Sequence, residues 1–129
     1  TMKPISVREL VEVHHALLSL SNVQTCLWYC VAKNLGKTKH EFNTYLEVER
    51  ACIDNLVQKD FENNPVTTEN GSFVFETEDK RKQFDKYLHD EQSKIVEVDF
   101  YQCKITDEFI KEKHSASLIT PLIDLILTE

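Results

Sequence analysis

At 129 residues, with 41% hydrophobic and 29% charged side chains, the chain has the material for one core and the balance of a folded protein rather than a disordered one. Its formal net charge of −7 opposes a nucleic-acid duplex or an anionic membrane as partner. Its two glycines, Gly36 and Gly71, are too few to build phosphate-cradling loops, dinucleotide turns or nucleophile elbows, which need glycine at sharp turns and close approaches.

Met2-Lys3-Pro4-Ile5-Ser6 leads into an amphipathic segment without a secretory pattern, and Thr1 before Met2 reads as an added residue. No apolar run is long enough to span a bilayer. Ser6-Val7-Arg8-Glu9 has the capping-box pattern and predicts a first helix from Val7. Leu10, Val13 or His14, Leu17 and Leu18 recur at helical spacing until Ser21-Asn22 breaks it. A second helix is expected from Val23 to Leu35, with Val23, Cys26, Leu27, Cys30 and Val31 on one face and Trp28 and Tyr29 widening it. Gly36 stands where a left-handed C-terminal cap belongs, and Thr38-Lys39-His40-Glu41 supplies a second capping box. A long third helix therefore runs from Lys39 to about Lys59 or Phe61, with Phe42, Leu46, Ile53, Leu56 and Val57 as its apolar stripe. Glu49 interrupts that stripe and needs a partner, Arg50 or Lys33.

Asn70-Gly71 signals a turn into a short strand at Ser72–Glu76. Thr77 caps a fourth helix whose inner face is Phe84, Tyr87 and Leu88. From Lys94 to Ile105 the alternation of Val96, Val98 and Phe100 with Glu97 and Asp99 predicts a strand. The apolar face then switches to Tyr101, Cys103 and Ile105, which predicts a bulge or bend. Thr106 caps a short segment around Phe109, and Thr120-Pro121 opens a last helix. The expected fold is a single helix-rich α+β domain over 1–129. It has an N-terminal helical hairpin, a long helix, a small antiparallel sheet pairing Phe73–Glu76 with Ile95–Ile105, and a C-terminal helix.

These pieces resemble a family of small bacteriophage proteins of unknown function. The resemblance covers most of the chain. It rests on Ala32-Lys33-Asn34, the charged helix holding Glu49-Arg50, the Lys59-Asp60 exit into an Asn/Gly-rich turn, Phe84 and Leu88 before Val96-Glu97-Val98-Asp99-Phe100, and the Ser117–Glu129 ending. The turn here is longer than the family's Asp-Glu-Asn-Gly, and Gly71 comes late. None of these motifs is catalytic, so the resemblance implies an origin and a layout: a protein made in an infected bacterial cytoplasm.

The constellations divide between chemistry and packing. Cys26, Cys30, Cys52 and Cys103 sit among apolar neighbours and read as reduced, buried thiols of a cytoplasmic protein. His14, His15, Cys26 and Cys30 would converge in a helical hairpin, but the Cys-x-x-x-Cys spacing is weaker than a zinc knuckle, and packed thiols are the simpler reading. No oxyanion hole marks Cys103, and carboxylates on an amphipathic helix form a solvated face, so neither an enzyme nor a cofactor is expected. Lysines interleave the acids, which argues against a DNA mimic. Leu118, Ile119, Leu122, Ile123, Leu125, Ile126 and Leu127 would cover nearly the whole circumference of the last helix, relieved only by Thr120, Asp124 and Thr128; Leu118, Ile119, Leu122, Ile123 and Ile126 are its candidate interface. Such a helix either plugs its own core or is shared with another chain. The expected function is that of a non-enzymatic phage protein acting by protein–protein contact, as a homo-oligomer or with a phage or host protein. It would serve as a virion or assembly accessory or as an inhibitor of a host defence factor. The alternative is a protein that sequesters a nucleotide signal in an inter-subunit pocket, for which Trp28, Tyr29, Lys33, Arg50 and Arg81 are available.

Overall fold

The computed structural model describes residues 2–129. In chain order the elements are β1 (Lys3–Ser6), α1 (Val7–Ser21), α2 (Trp28–Leu56), α3 (Glu78–Ser93), β2 (Ile95–Val98), β3 (Cys103–Lys104), α4 (Asp107–Lys111), α5 (Ala116–Ile119), a 3-10 turn (Thr120–Leu122) and β4 (Leu127–Thr128). The protein is helix-rich α+β, as its sequence predicts. Among the described residues no helix is long and apolar enough to cross a membrane. The chain divides into two compact units, one built from residues up to Asn43 together with Ile95–Glu129, the other from Thr44–Lys94.

In the first unit the Ser6 capping box forms as expected. Ser6 Oγ accepts the Glu9 N–H at 3.1 Å, and the Glu9 carboxylate accepts the Ser6 N–H at 3.4 Å. Both orphan donors are thereby satisfied, and α1 buries Val7, Leu10, Val13, Leu17 and Leu20 on one face. β1 pairs antiparallel with β2, with Ile5 opposite Val96 and Lys3 opposite Val98. The expected partner of β2, Phe73–Glu76, is not in this sheet; Phe73 makes only an isolated bridge to Thr67. The strand expected from Lys94 to Ile105 is interrupted at residues 99–102, and beyond that link β3 pairs in parallel with β4.

Two boundaries differ from the sequence reading. The second and third expected helices merge into one continuous helix, α2, which starts at Trp28 rather than Val23, leaving residues 23–27 outside it. Gly36 lies inside it, and of the two glycines only Gly71 has positive φ, 85°. The expected cap Thr38 is fully buried; its hydroxyl donates back to the Asn34 carbonyl at 3.2 Å and lies 2.7 Å from Nδ1 of His14. The helix continues because Asn34 and Thr38, one turn apart and both 0% exposed, make long-range contacts that outweigh the local stop signal.

The C-terminal apolar run is also not the helix expected. Ser115, not Thr120, caps α5. Helical structure ends with the 3-10 turn, and Asp124 takes a left-handed conformation at φ 69°. The chain then returns to pair with β3, which buries Leu122, Ile126 and Leu127 in this unit's own core without a helix.

In the second unit Cys52, Val57 and Phe84 form the core, with Phe73, Phe75 and Leu88 packed on it. The rings of Phe73 and Phe75 meet Phe84 at 5.8 and 5.2 Å. Backbone bonds from Gln58 to Val74, Val66 to Gln58 and Val74 to Val66 fold the polar stretch before α3 into a compact cover. Thr77 caps α3 by accepting the Lys80 N–H. Glu49 is not held by Arg50 or Lys33. It accepts the Tyr45 hydroxyl at 3.1 Å, and that hydroxyl accepts from Gln92 at 2.9 Å.

Candidate functional site

Trp28 and Tyr29 open α2, and both are exposed, at 68% and 48%. Tyr101, in the link between β2 and β3, is 44% exposed. The Tyr29 ring lies 5.8 Å from Trp28 and 5.7 Å from Tyr101. One turn along α2, the Lys33 ammonium sits 5.8 Å from the Tyr29 ring and 6.0 Å from the Tyr101 ring, in reach of a cation–π contact with each. Three aromatics in this state leave on the order of 300 Å² of apolar surface facing water, within the range of the largest patch on a typical monomer, which is often functional.

The face is rigid because its two halves are stitched together. Asn34 is fully buried and treats the main chain of residue 101 as a strand partner: Oδ1 accepts the Tyr101 N–H at 2.8 Å, and Nδ2 donates to the Tyr101 carbonyl at 2.8 Å. Nδ2 also donates to the Cys30 carbonyl at 2.9 Å. Beside it, Cys30 and Cys103 form a disulfide with a Cα–Cα distance of 6.4 Å. The reading of all four cysteines as reduced thiols is corrected here: only Cys26 and Cys52 are free. The reason is geometric. Asn34 anchors Tyr101 against α2, which carries Cys103, two residues on, to the helical turn that holds Cys30.

The entry to α2 is held by Glu112. Its Oε2 accepts the Cys26 N–H at 2.8 Å, and its Oε1 lies 2.7 Å from Nε2 of His114. Burial works against the charge of this carboxylate. The bonds from the Cys26 N–H, His114, Thr25 and the Cys26 thiol outweigh it and bring the group down to about 2. The same contact, added to burial, pushes the Cys26 thiol above its ordinary value. Two hollows adjoin the aromatic face. One, of about 400 Å³, is lined by Lys33, Lys37, Asp99, Phe100, Tyr101 and Gln102. The other, of about 300 Å³, is lined by Tyr29, Tyr101 and three cysteines, Cys26, Cys30 and Cys103.

The remaining sequence candidates separate. Of the ligand set, Trp28, Tyr29 and Lys33 come together, whereas Arg50 and Arg81 belong to the second unit, where the Arg81 guanidinium is bound by Glu78. Of the interface set, Leu122 and Ile126 are 1% exposed and so unavailable to a partner; Leu118 and Ile119 are half-buried, and Ile123 is exposed. Cys30 is committed to the disulfide and His14 Nδ1 to Thr38, and among the described residues no group of three or more His, Cys, Asp or Glu is placed to hold a metal. Sequence reasoning missed Tyr101 and Asn34. The switch of apolar face at Tyr101 falls where the strand is interrupted, but it did not point to the ring that Tyr101 exposes there.

In comparison with known proteins, the chain matches no family model, no curated protein and no solved structure.

Proposed function

We propose that this chain is a non-enzymatic protein that acts by protein–protein contact, with Trp28, Tyr29, Tyr101 and Lys33 as its contact face. One observation carries the reading: a tryptophan and two tyrosines stand exposed on a segment held by a disulfide and a buried asparagine. Tryptophan and tyrosine are the side chains that most often dominate binding energy, and a preorganised face spares the entropy of ordering it. The resemblance to small bacteriophage proteins supplies the setting, with a phage protein, a host protein or a second copy as partner. Of the two roles expected for such a protein, virion or assembly accessory and defence inhibitor, the Cys30–Cys103 bond favours the first. Disulfides persist on virion surfaces and are rare in a reducing cytoplasm.

The test is affinity capture from infected and uninfected bacterial lysates with the wild-type chain and with Trp28→Ala/Tyr101→Ala. The expected result is a discrete protein retained by the wild type and depleted at least tenfold with the variant. Identical captures by both would overturn the reading.

A second reading, sequestration of a nucleotide, is favoured by Lys33 and Lys37 lining the 400 Å³ hollow beside Tyr101. Trp28 is the sole tryptophan, so its fluorescence reports directly on that face. A panel of cyclic and linear nucleotides that changes neither the fluorescence nor the melting temperature removes this alternative.

A further inference from the structure

Three of the four cysteines line one small hollow, and two of them are already bonded to each other. The third, Cys26, is a free thiol in the turn just before α2, four residues from Cys30. It lies outside the helix, and what brings it beside Cys30 and Cys103 is the hollow that all three line. Cys26 is fixed in place as well, because Glu112 holds its N–H.

We propose that Cys26, Cys30 and Cys103 form an intramolecular thiol–disulfide exchange site: a small-molecule disulfide such as oxidised glutathione first oxidises Cys26 and Cys30 to a bond, leaving as two thiols, and that bond is passed on to become the Cys30–Cys103 bond. Loop closure sets the order. Cys30 and Cys103 are 73 residues apart, whereas Cys26 and Cys30 are four residues apart, and the short closure is favoured by on the order of tenfold or more in an unfolded chain. Folding then brings Cys103 into the hollow. Its thiolate attacks Sγ of Cys30, the Cys30–Cys103 bond forms, and the Cys26–Cys30 bond breaks. The electron pair leaves on Sγ of Cys26, which takes up a proton, so the transfer consumes no oxidant or reductant. The folded packing draws the step forward: Asn34 pins residue 101 against α2, which holds Cys103 beside Cys30. Burial and the Glu112 carboxylate keep the released Cys26 as a thiol. This gives the free Cys26 a role that does not depend on what the aromatic face binds.

The experiment is oxidative refolding in a glutathione buffer, quenched with acid at intervals and read by peptide mapping. A Cys52→Ser background leaves only the three relevant cysteines. A Cys26–Cys30 peptide should accumulate first and decay as the Cys30–Cys103 peptide appears. Adding Cys26→Ser should slow formation of Cys30–Cys103 at least fivefold. In a separate Cys103→Ser chain, oxidised glutathione should link Cys26 to Cys30 within the folded protein. The proposal is overturned if Cys30–Cys103 forms equally fast with and without Cys26. It is equally overturned if the transient bond is Cys26–Cys103, or if Cys26 and Cys30 of the Cys103→Ser chain both stay open to alkylation.

Discussion

Removing the Asn34 side chain should loosen the first unit more than any surface change near it. In Asn34→Ala, the Tyr101 N–H and carbonyl lose the partners they hold at 2.8 Å, and the Cys30 carbonyl loses a third bond. Leaving a buried backbone group unpaired costs about 1–3 kcal/mol. Residue 101 is partly open to water, which can repair some of the loss, so the expected cost is about 2–3 kcal/mol. Asn34→Asp keeps the shape but turns both donors into a carboxylate facing two carbonyls, and at pH 7 it should cost more than alanine. The folded environment raises the pKa of that aspartate above its unfolded value of about 3.9. Its stability is therefore greatest below that value and is lost as pH rises through the folded pKa. Urea unfolding measures both effects, followed by Trp28 fluorescence, which reports on the same unit. An alanine variant within about 0.5 kcal/mol of wild type, or an aspartate variant no worse than alanine at neutral pH, would refute the pairing between Asn34 and residue 101.

Gly36→Ala should stabilise the chain by about 1 kcal/mol, because the residue is mid-helix and an added Cβ meets nothing within 4 Å; a helix-ending glycine would show the opposite sign in the same unfolding assay. His14 is buried, stacked 3.9 Å from Phe42 and held below its ordinary 6.5 by burial and then by His15. The unfolded chain takes up that proton first, so the urea midpoint should fall as pH drops from 6.5, and an NMR titration should find His14 protonating below that value. Glu112 has its folded pKa lowered to about 2 from 4.5. Its contribution should be complete above 4.5 and lost as pH falls from there towards 2, and Glu112→Gln, measured by chemical unfolding at pH 7, should cost about 2 kcal/mol.

Local signals were legible where nothing distant competes with them. Ser6, Thr77 and Thr106 cap helices because each cap needs only its own next three residues. Gly36 and Thr38 carried signals just as clear and were overridden, since His14 and residue 101 engage Thr38 and Asn34 from far along the chain. The apolar ending showed burial correctly but not its geometry, because a run broken only at Thr120 and Asp124 has too little period to distinguish a helix from a turn and strand. Trp28, Tyr29 and Lys33 stood out by type. Their partner Tyr101 and the disulfide beneath them depend on contacts more than seventy residues apart, which a one-dimensional pattern does not record.

The Cys30–Cys103 bond has a topological consequence. The covalent ring it closes contains every residue of the Thr44–Lys94 unit, while both ends of the chain lie outside it. A protease that cuts a peptide bond anywhere in that unit opens the ring without separating the molecule. Everything before Cys30 stays attached to everything after Cys103 until the disulfide is reduced.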